Sequence, residues 1–269
     1  MPNSFADQTP DESISYLFGS VIALLTVAIV LFSIIYFVYH LFWPSRAASQ
    51  FFKKNQHVVE DGLILIHHLP FFKALDEAGK KLLIKNAGIL FETVQFKQAD
   101  GRFLDKSKAY QVSLTLALVA LGLERKNHYG HLSSVVIHPE IFYTDLLEQN
   151  VKGLSLGKGI MHLSWSDFEH GWEHNDDRYN LGLHEAAHML LICKYTHINS
   201  SYDGWTKVAR QFIANQSINP IEKVMFRPYA ITNLDEFWAC CVEQFFEMPE
   251  MFSIKHPLIY QLTKSKLGH

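Results

Sequence analysis

Five consecutive residues carry types and spacing suited to metal chemistry. His184-Glu185-Ala186-Ala187-His188 is an H-E-x-x-H pattern inside the apolar sequence LGLHEAAHMLLIC. On a helix, residues four apart share a face, so both imidazoles can point at one ion about 2.0–2.1 Å from each. Glu185 adjoins the first histidine, where it can act as general base towards a water that the ion activates, without binding the ion itself. Burying His, Glu and His without partners would cost roughly several kcal/mol, and a shared metal accounts for all three together. The competing reading is a pair of core histidines bonded to backbone carbonyls, with Glu185 turned to solvent.

A catalytic zinc takes three protein ligands and keeps one open position, so a third donor is needed. Leu191 and Lys194 stand where a metzincin would continue with Gly and His. Asp203 is the nearest downstream carboxylate, and Glu222, Asp235, Glu236 and Glu243 are among those that follow. The strongest local pattern among them runs from Tyr229 through Glu236-Phe237-Trp238-Ala239, followed by Glu243 and Phe245-Phe246-Glu247. Asn233 and Glu236 are also spaced as a helix N-cap and its N3 partner, which would make Glu236 a capping residue only. Glu243, seven residues further on the same helical face, is the fallback ligand. Cys240, one turn after Glu236, could face the metal, although a buried free thiol is the commoner state.

The elements that must position these groups are legible in outline. Helical periodicity starts near Leu69, and Glu92-Thr93-Val94-Gln95-Phe96 alternates as a short strand before the turn at Asp100-Gly101. Asp105 to Leu121 reads as a buried helix, Ser133 to Ile137 as a strand stopped by Pro139, and Gly159 to Trp165 as a half-buried strand placed at a sheet edge. Helices follow over about 178–195, 203–216, 234–247 and 257–266. The polar stretch Glu169 to Asp177 reads as a solvated loop overhanging the cleft. Strands early and helices late imply an α+β fold rather than a repeating βαβ sheet.

Composition sets the outer limits. The 269 residues are 48% hydrophobic and 19% charged, which excludes intrinsic disorder. A net charge of -3 offers no basic footprint, so no direct nucleic-acid partner is expected. Three cysteines, two of them the adjacent Cys240 and Cys241, make no disulfide framework and fit a reducing compartment.

The apolar surplus is concentrated near the start, where residues 13–45 contain no Asp, Glu, Lys or Arg. Residues 16–43 are long enough to span a hydrocarbon core of about 30 Å as a helix. Acidic Asp7, Asp11 and Glu12 ahead of the run argue against a cleaved signal peptide. Arg46, Lys53 and Lys54 after it would hold the remainder in the cytoplasm. The expected organisation is a tail over 1–15, a single transmembrane helix in the lipid bilayer over 16–43, a juxtamembrane linker over 44–60 and a metallopeptidase domain over 61–269. The expected location is the inner (cytoplasmic) membrane, single-pass.

The pairing of H-E-x-x-H with a later Tyr, six intervening residues and Glu-Phe-aromatic-Ala resembles the Mlc titration factor A family of zinc peptidases. The same arrangement is shared with the catalytic domain of anthrax lethal factor. The resemblance extends over Asp100-Gly101, Val135 to Ile137 with Pro139, Leu163-Ser164-Trp165-Ser166-Asp167, Asn180, and Phe245-Phe246-Glu247 with Pro249. It implies a zincin-like domain with a mixed sheet, an active-site helix and C-terminal helices. It further implies that His184, His188 and Glu236 bind one Zn2+, that Glu185 is the catalytic base, and that Tyr229 steadies the oxyanion. Two positions depart from the family pattern. Leu191 replaces an acidic residue, which would weaken metal affinity about 10–100-fold if that carboxylate orients a ligand and nothing substitutes for it. Trp238 stands where Phe is usual.

These readings converge on a membrane-anchored zinc peptidase acting on a peptide or protein substrate, held by pairing at the Gly159–Trp165 edge. The alternative is a membrane-tethered binding protein that sequesters a transcription regulator, as the family name implies, with hydrolysis secondary or lost.

Overall fold

The computed structural model describes residues 20–35, 53–123, 129–174, 177–193, 204–218 and 225–269. The chain divides into two compact units, Met1–Arg46 and Ala47–His269.

In the first unit, residues 20–35 form helix α1. Among the described residues no helix is long and apolar enough to cross a membrane. The expectations of a single transmembrane helix over 16–43, of bilayer contact through it and of single-pass inner-membrane residence are therefore not sustained. The described part of α1, residues 20–35, covers about 24 Å at 1.5 Å per residue, against a hydrocarbon core of about 30 Å. The tail over 1–15, the outer ends of the expected span and residues 44–52 of the expected linker lie outside the described residues.

The second unit opens with helices α2 (Gln56–Ile66), α3 (Pro70–Ala74) and α4 (Glu77–Thr93). Helix α2 begins inside the segment read as a linker. Strand β1 (Gln95–Gln98) starts later than the alternation at Glu92 suggested. The helix holds Thr93 because its hydroxyl donates back to the Ile89 carbonyl at 2.8 Å, a bond β-branched Thr makes readily inside a helix. Helix α5 (Lys106–Val119) follows, starting at Asp105, whose carboxylate accepts from the Ser107 and Lys108 amides. Ten of its residues are buried, and it lies against α2, α4 and α7.

The sheet is mixed, as expected, and runs β1–β2–β6–β5. Strands β1, β2 (Ser134–His138) and β6 (Ile160–Ser164) are parallel, and β5 (Gly153–Leu156) is antiparallel to β6. Strand β6 is thus an interior strand, paired on both sides, and the edge placement expected for Gly159 to Trp165 belongs instead to β5. The β5–β6 turn requires Gly159: its φ is +73°, and a Cβ there would fall 1.7 Å from the His131 carbonyl oxygen. A separate antiparallel pair, β3 (Phe142–Thr144) with β4 (Gln149–Val151), went unanticipated.

Residues 165–173 form helix α6 (Trp165–Glu173), not the solvated loop expected from Glu169 onward. Ser164 caps it by accepting from the Asp167 amide, and Trp165, Phe168 and Trp172 recur at helical spacing on its buried face. Helices α7 (Leu181–Ile192), α8 (Gly204–Ile218), α9 (Leu234–Glu247), α10 (Pro249–Lys255) and α11 (Pro257–Lys266) complete the unit, with a 3-10 turn at Pro228–Ile231 before α9. Met189, Phe245 and Phe246 are core residues. Helix α7 packs between α5, α9 and β5, which places the H-E-x-x-H segment at the centre of the unit.

Candidate metal centre and cleft

Helix α7 begins at Asn180, whose side chain accepts from the Leu183 amide at 3.0 Å. An N-cap of this kind contributes about 1 kcal/mol and fixes the phase of the helix. That phase turns His184 and His188 to one side, facing the first turn of α9. The α9 cap is Asn233, which accepts from the Asp235 and Glu236 amides, both at 2.9 Å. Capping is therefore present, yet the Glu236 side chain is aimed elsewhere. Its Oε2 lies 3.0 Å from His184 Nε2 and 3.4 Å from His188 Nε2, and the two imidazole nitrogens are 3.1 Å apart.

This triangle has the dimensions of a metal site. Donors each about 2.0–2.1 Å from a tetrahedral ion sit about 3.3 Å from one another. Two imidazole nitrogens and a carboxylate oxygen form a donor set that suits Zn2+, and the three residues fit the ion that the sequence implies. Burial disfavours charge on His184, yet hydrogen bonds to Cys240, Glu236 and Glu243 outweigh it and hold the imidazole well above its ordinary pKa. Burial pushes the Glu236 carboxyl up, but bonds to His184 and His188 win and hold it well below the usual carboxylate range. The cluster thus favours positive charge at its centre, where a divalent ion would displace the proton.

The other ring nitrogen of His184 is equally engaged. Nδ1 donates to Glu243 Oε1 at 2.7 Å, and the second Glu243 oxygen accepts from the Asn180 amide at 2.7 Å. Glu243, considered as the fallback ligand, sits on the far side of the imidazole and directs the Nε2 lone pair towards His188 and Glu236. Arg227 donates to the same Glu243 oxygen at 2.8 Å and approaches Cys240 Sγ at 3.7 Å. His184, Cys240 and Glu243 form a second group of possible ligands, entirely buried, but the guanidinium already supplies the cation there.

Glu185 is buried, and its Oε2 accepts from the Ser155 hydroxyl of β5 at 2.8 Å. Tyr229, on the 3-10 turn, is half-exposed, with its ring centroid 6.2 Å from that of His184. Partial burial, then the charge of Glu236, push its phenol up to about 12. His184, Glu185, His188, Tyr229 and Glu236 all line one cleft of about 930 Å³. Leu191 lines it as well, so an apolar side chain occupies the wall at the first departure noted above. Asp235 lines the cleft too; Asp203 and Glu222 lie outside the described residues. None of the described residues of the 169–177 segment borders the cleft.

Three contributors escaped the sequence: Ser155, Gly153 and Arg227. The alternation Val151, Gly153, Ser155, Gly157 was a faint strand signal, blurred by small residues and short length. Arg227 carried no motif of its own.

The model of the glucose-regulated metallo-peptidase M90 family matches residues 44–266. Among curated proteins, Mlc titration factor A of Yersinia enterocolitica is 24% identical over 216 residues, covering 72% of this chain and 80% of the relative. Mlc titration factor A of Yersinia pestis is 24% identical over 220 residues, covering 72% and 79% respectively.

Proposed function

The chain belongs to the glucose-regulated metallo-peptidase M90 family, and from that premise we propose that it is a zinc-dependent peptidase. His184, His188 and Glu236 hold the ion, Glu185 is the general base, and Tyr229 assists the carbonyl oxygen. The observation that carries this reading is the convergence of three donor atoms from two helices within 3.4 Å of one another.

When bound, zinc supplies Lewis acidity, polarising a carbonyl oxygen and lowering the pKa of water to about 7. The chain's own groups do the rest. Glu185 accepts a proton at its carboxylate and passes it to the departing amine nitrogen. Tyr229 keeps its hydroxyl proton at neutral pH and donates a hydrogen bond where negative charge develops on the carbonyl oxygen. Ladder geometry gives β5 its part. Lys152 and Leu154 face β6, since the Lys152 carbonyl accepts from the Ser164 amide at 2.7 Å and the register alternates. The backbone groups of Gly153 and Ser155 therefore point away from β6. An extended peptide pairs with that free edge, beside Glu185.

Metal analysis and peptide hydrolysis test this directly. The native protein should carry one zinc per chain and show chelator-sensitive cleavage, and Glu185→Gln should keep the zinc and lose turnover. Full activity in that variant removes Glu185 as the base.

A second reading follows from the relatives' name, Mlc titration factor A: this chain binds a transcription regulator of the Mlc kind, with hydrolysis secondary. The apolar Leu191 in the cleft wall favours it only if zinc proves weakly held. Stoichiometric regulator binding by a metal-free protein with no cleavage would support that reading over the first.

A further inference from the structure

Strand β5 does more than offer an edge. We propose that Ser155 and Gly153 form a clamp that sets the orientation of the Glu185 carboxylate, making Ser155 a positioning residue for the base; this rests on the peptidase reading above.

Three observations carry it. The Ser155 hydroxyl, with a single proton to give, donates to Glu185 Oε2 at 2.8 Å, and its oxygen lies 3.3 Å from the Glu185 carbonyl oxygen, so Ser155 packs against both the side chain and the main chain of the base. Gly153, two residues earlier on the same face of β5, leaves room for the other carboxylate oxygen. A Cβ at that position would stand 2.4 Å from Oε1 and 2.7 Å from Cδ and Cγ. The strand is held in register by β6, with Gly153 opposite Leu163 and Ser155 opposite Met161, so the clamp is not carried on a loop.

The physical consequence is directional. A buried glutamate has three side-chain torsions, and a hydrogen bond from the Ser155 hydroxyl fixes one oxygen while glycine admits the other. Oε2 accepts from Ser155 and Oε1 lies over Gly153, so β5 places both oxygens of the base. The same two residues supply the outward backbone groups to which an extended peptide would pair. Substrate and base are therefore aligned by one short strand, with no intervening mobile part.

The test uses the full chain loaded with zinc. Ser155→Ala should lower kcat about 10-fold, with KM and zinc affinity unchanged. Ser155→Thr, which restores the hydroxyl, should recover most of that loss. Gly153→Ala should lower kcat about 100-fold by displacing the carboxylate. A crystal structure of Ser155→Ala should show the Glu185 carboxylate rotated from its place against β5, a readout independent of turnover. An unmoved carboxylate overturns the proposal, as does a Ser155→Ala kcat within about twofold of the native value. Activity surviving in Glu185→Gln would instead undermine the assignment of the base, and the two failures are thereby told apart.

Discussion

The two sides of the His184 ring hold similar residues and different environments. On the Nε2 side stand His188 and Glu236, partly buried and bordering the cleft. On the Nδ1 side stand Cys240 and Glu243, fully buried, with Arg227 laid across them. Either group counts three possible ligands for a metal. Only the first has access from outside and no protein cation filling its centre. A ligand count therefore does not define a metal site. What decides is where the charge of the donors is left uncompensated, and on the buried side Arg227 compensates it. The buried side acts instead as a mount, fixing which nitrogen of His184 is free.

Substitutions can break this contrast, in falling order of effect. Glu236→Gln removes a ligand on the open side, and zinc affinity should fall by more than the roughly 100-fold that bounds the loss of an outer partner. Equilibrium dialysis against a competing chelator reads this directly, and an unchanged affinity would move the third ligand elsewhere. Glu243→Gln leaves the open side intact but weakens the mount. The same dialysis should show a loss of about 10–100-fold, with the stoichiometry still reaching one at saturating zinc. Cys240→Ser touches only the buried side and should change zinc affinity by less than about threefold, below what any ligand loss gives.

A pH effect sharpens the contrast from the buried side. Glu247 is bonded through its Oε1 to Asn180 at 3.1 Å. Burial first, then the nearby charge of Glu243, raise its carboxyl to about 9. A carboxyl whose folded pKa lies above its unfolded value keeps its proton in the folded state after the unfolded chain has released it. Stability should thus fall as pH rises from about 4.5 towards about 9, by at least about 1 kcal/mol. Glu247→Gln, neutral at every pH, should flatten that slope in denaturant titrations across the range. An identical slope in both proteins would mean that Glu247 is ionised in the fold.

What the sequence disclosed follows the range of each interaction. The H-E-x-x-H face and the bounds of α9 depend on neighbours within two turns, and α9 occupies the expected residues 234–247. Glu236 could be weighed against its capping role only by zinc's need for a third donor and by the family resemblance, because its contact with His184 spans 52 residues of chain. Ser155 meets Glu185 across 30 residues from a four-residue strand, too short for a clear period. The edge assigned to β6 failed for a related reason: alternation reveals that one face is buried, not which neighbours complete the sheet. Helix α6 was hidden by its polar surface, although its three aromatic residues keep helical spacing. The membrane expectation rested on an uncharged run alone, and among the described residues no helix is long and apolar enough to cross a membrane.

X-ray absorption at the zinc edge of the native protein probes the central claim most closely, because it identifies the atoms around the ion. Two imidazole nitrogens and carboxylate oxygen at about 2.0–2.1 Å, with no sulfur, is the predicted shell for His184, His188 and Glu236. A sulfur scatterer at about 2.3 Å would place the ion on the Cys240 side of His184 and contradict the account.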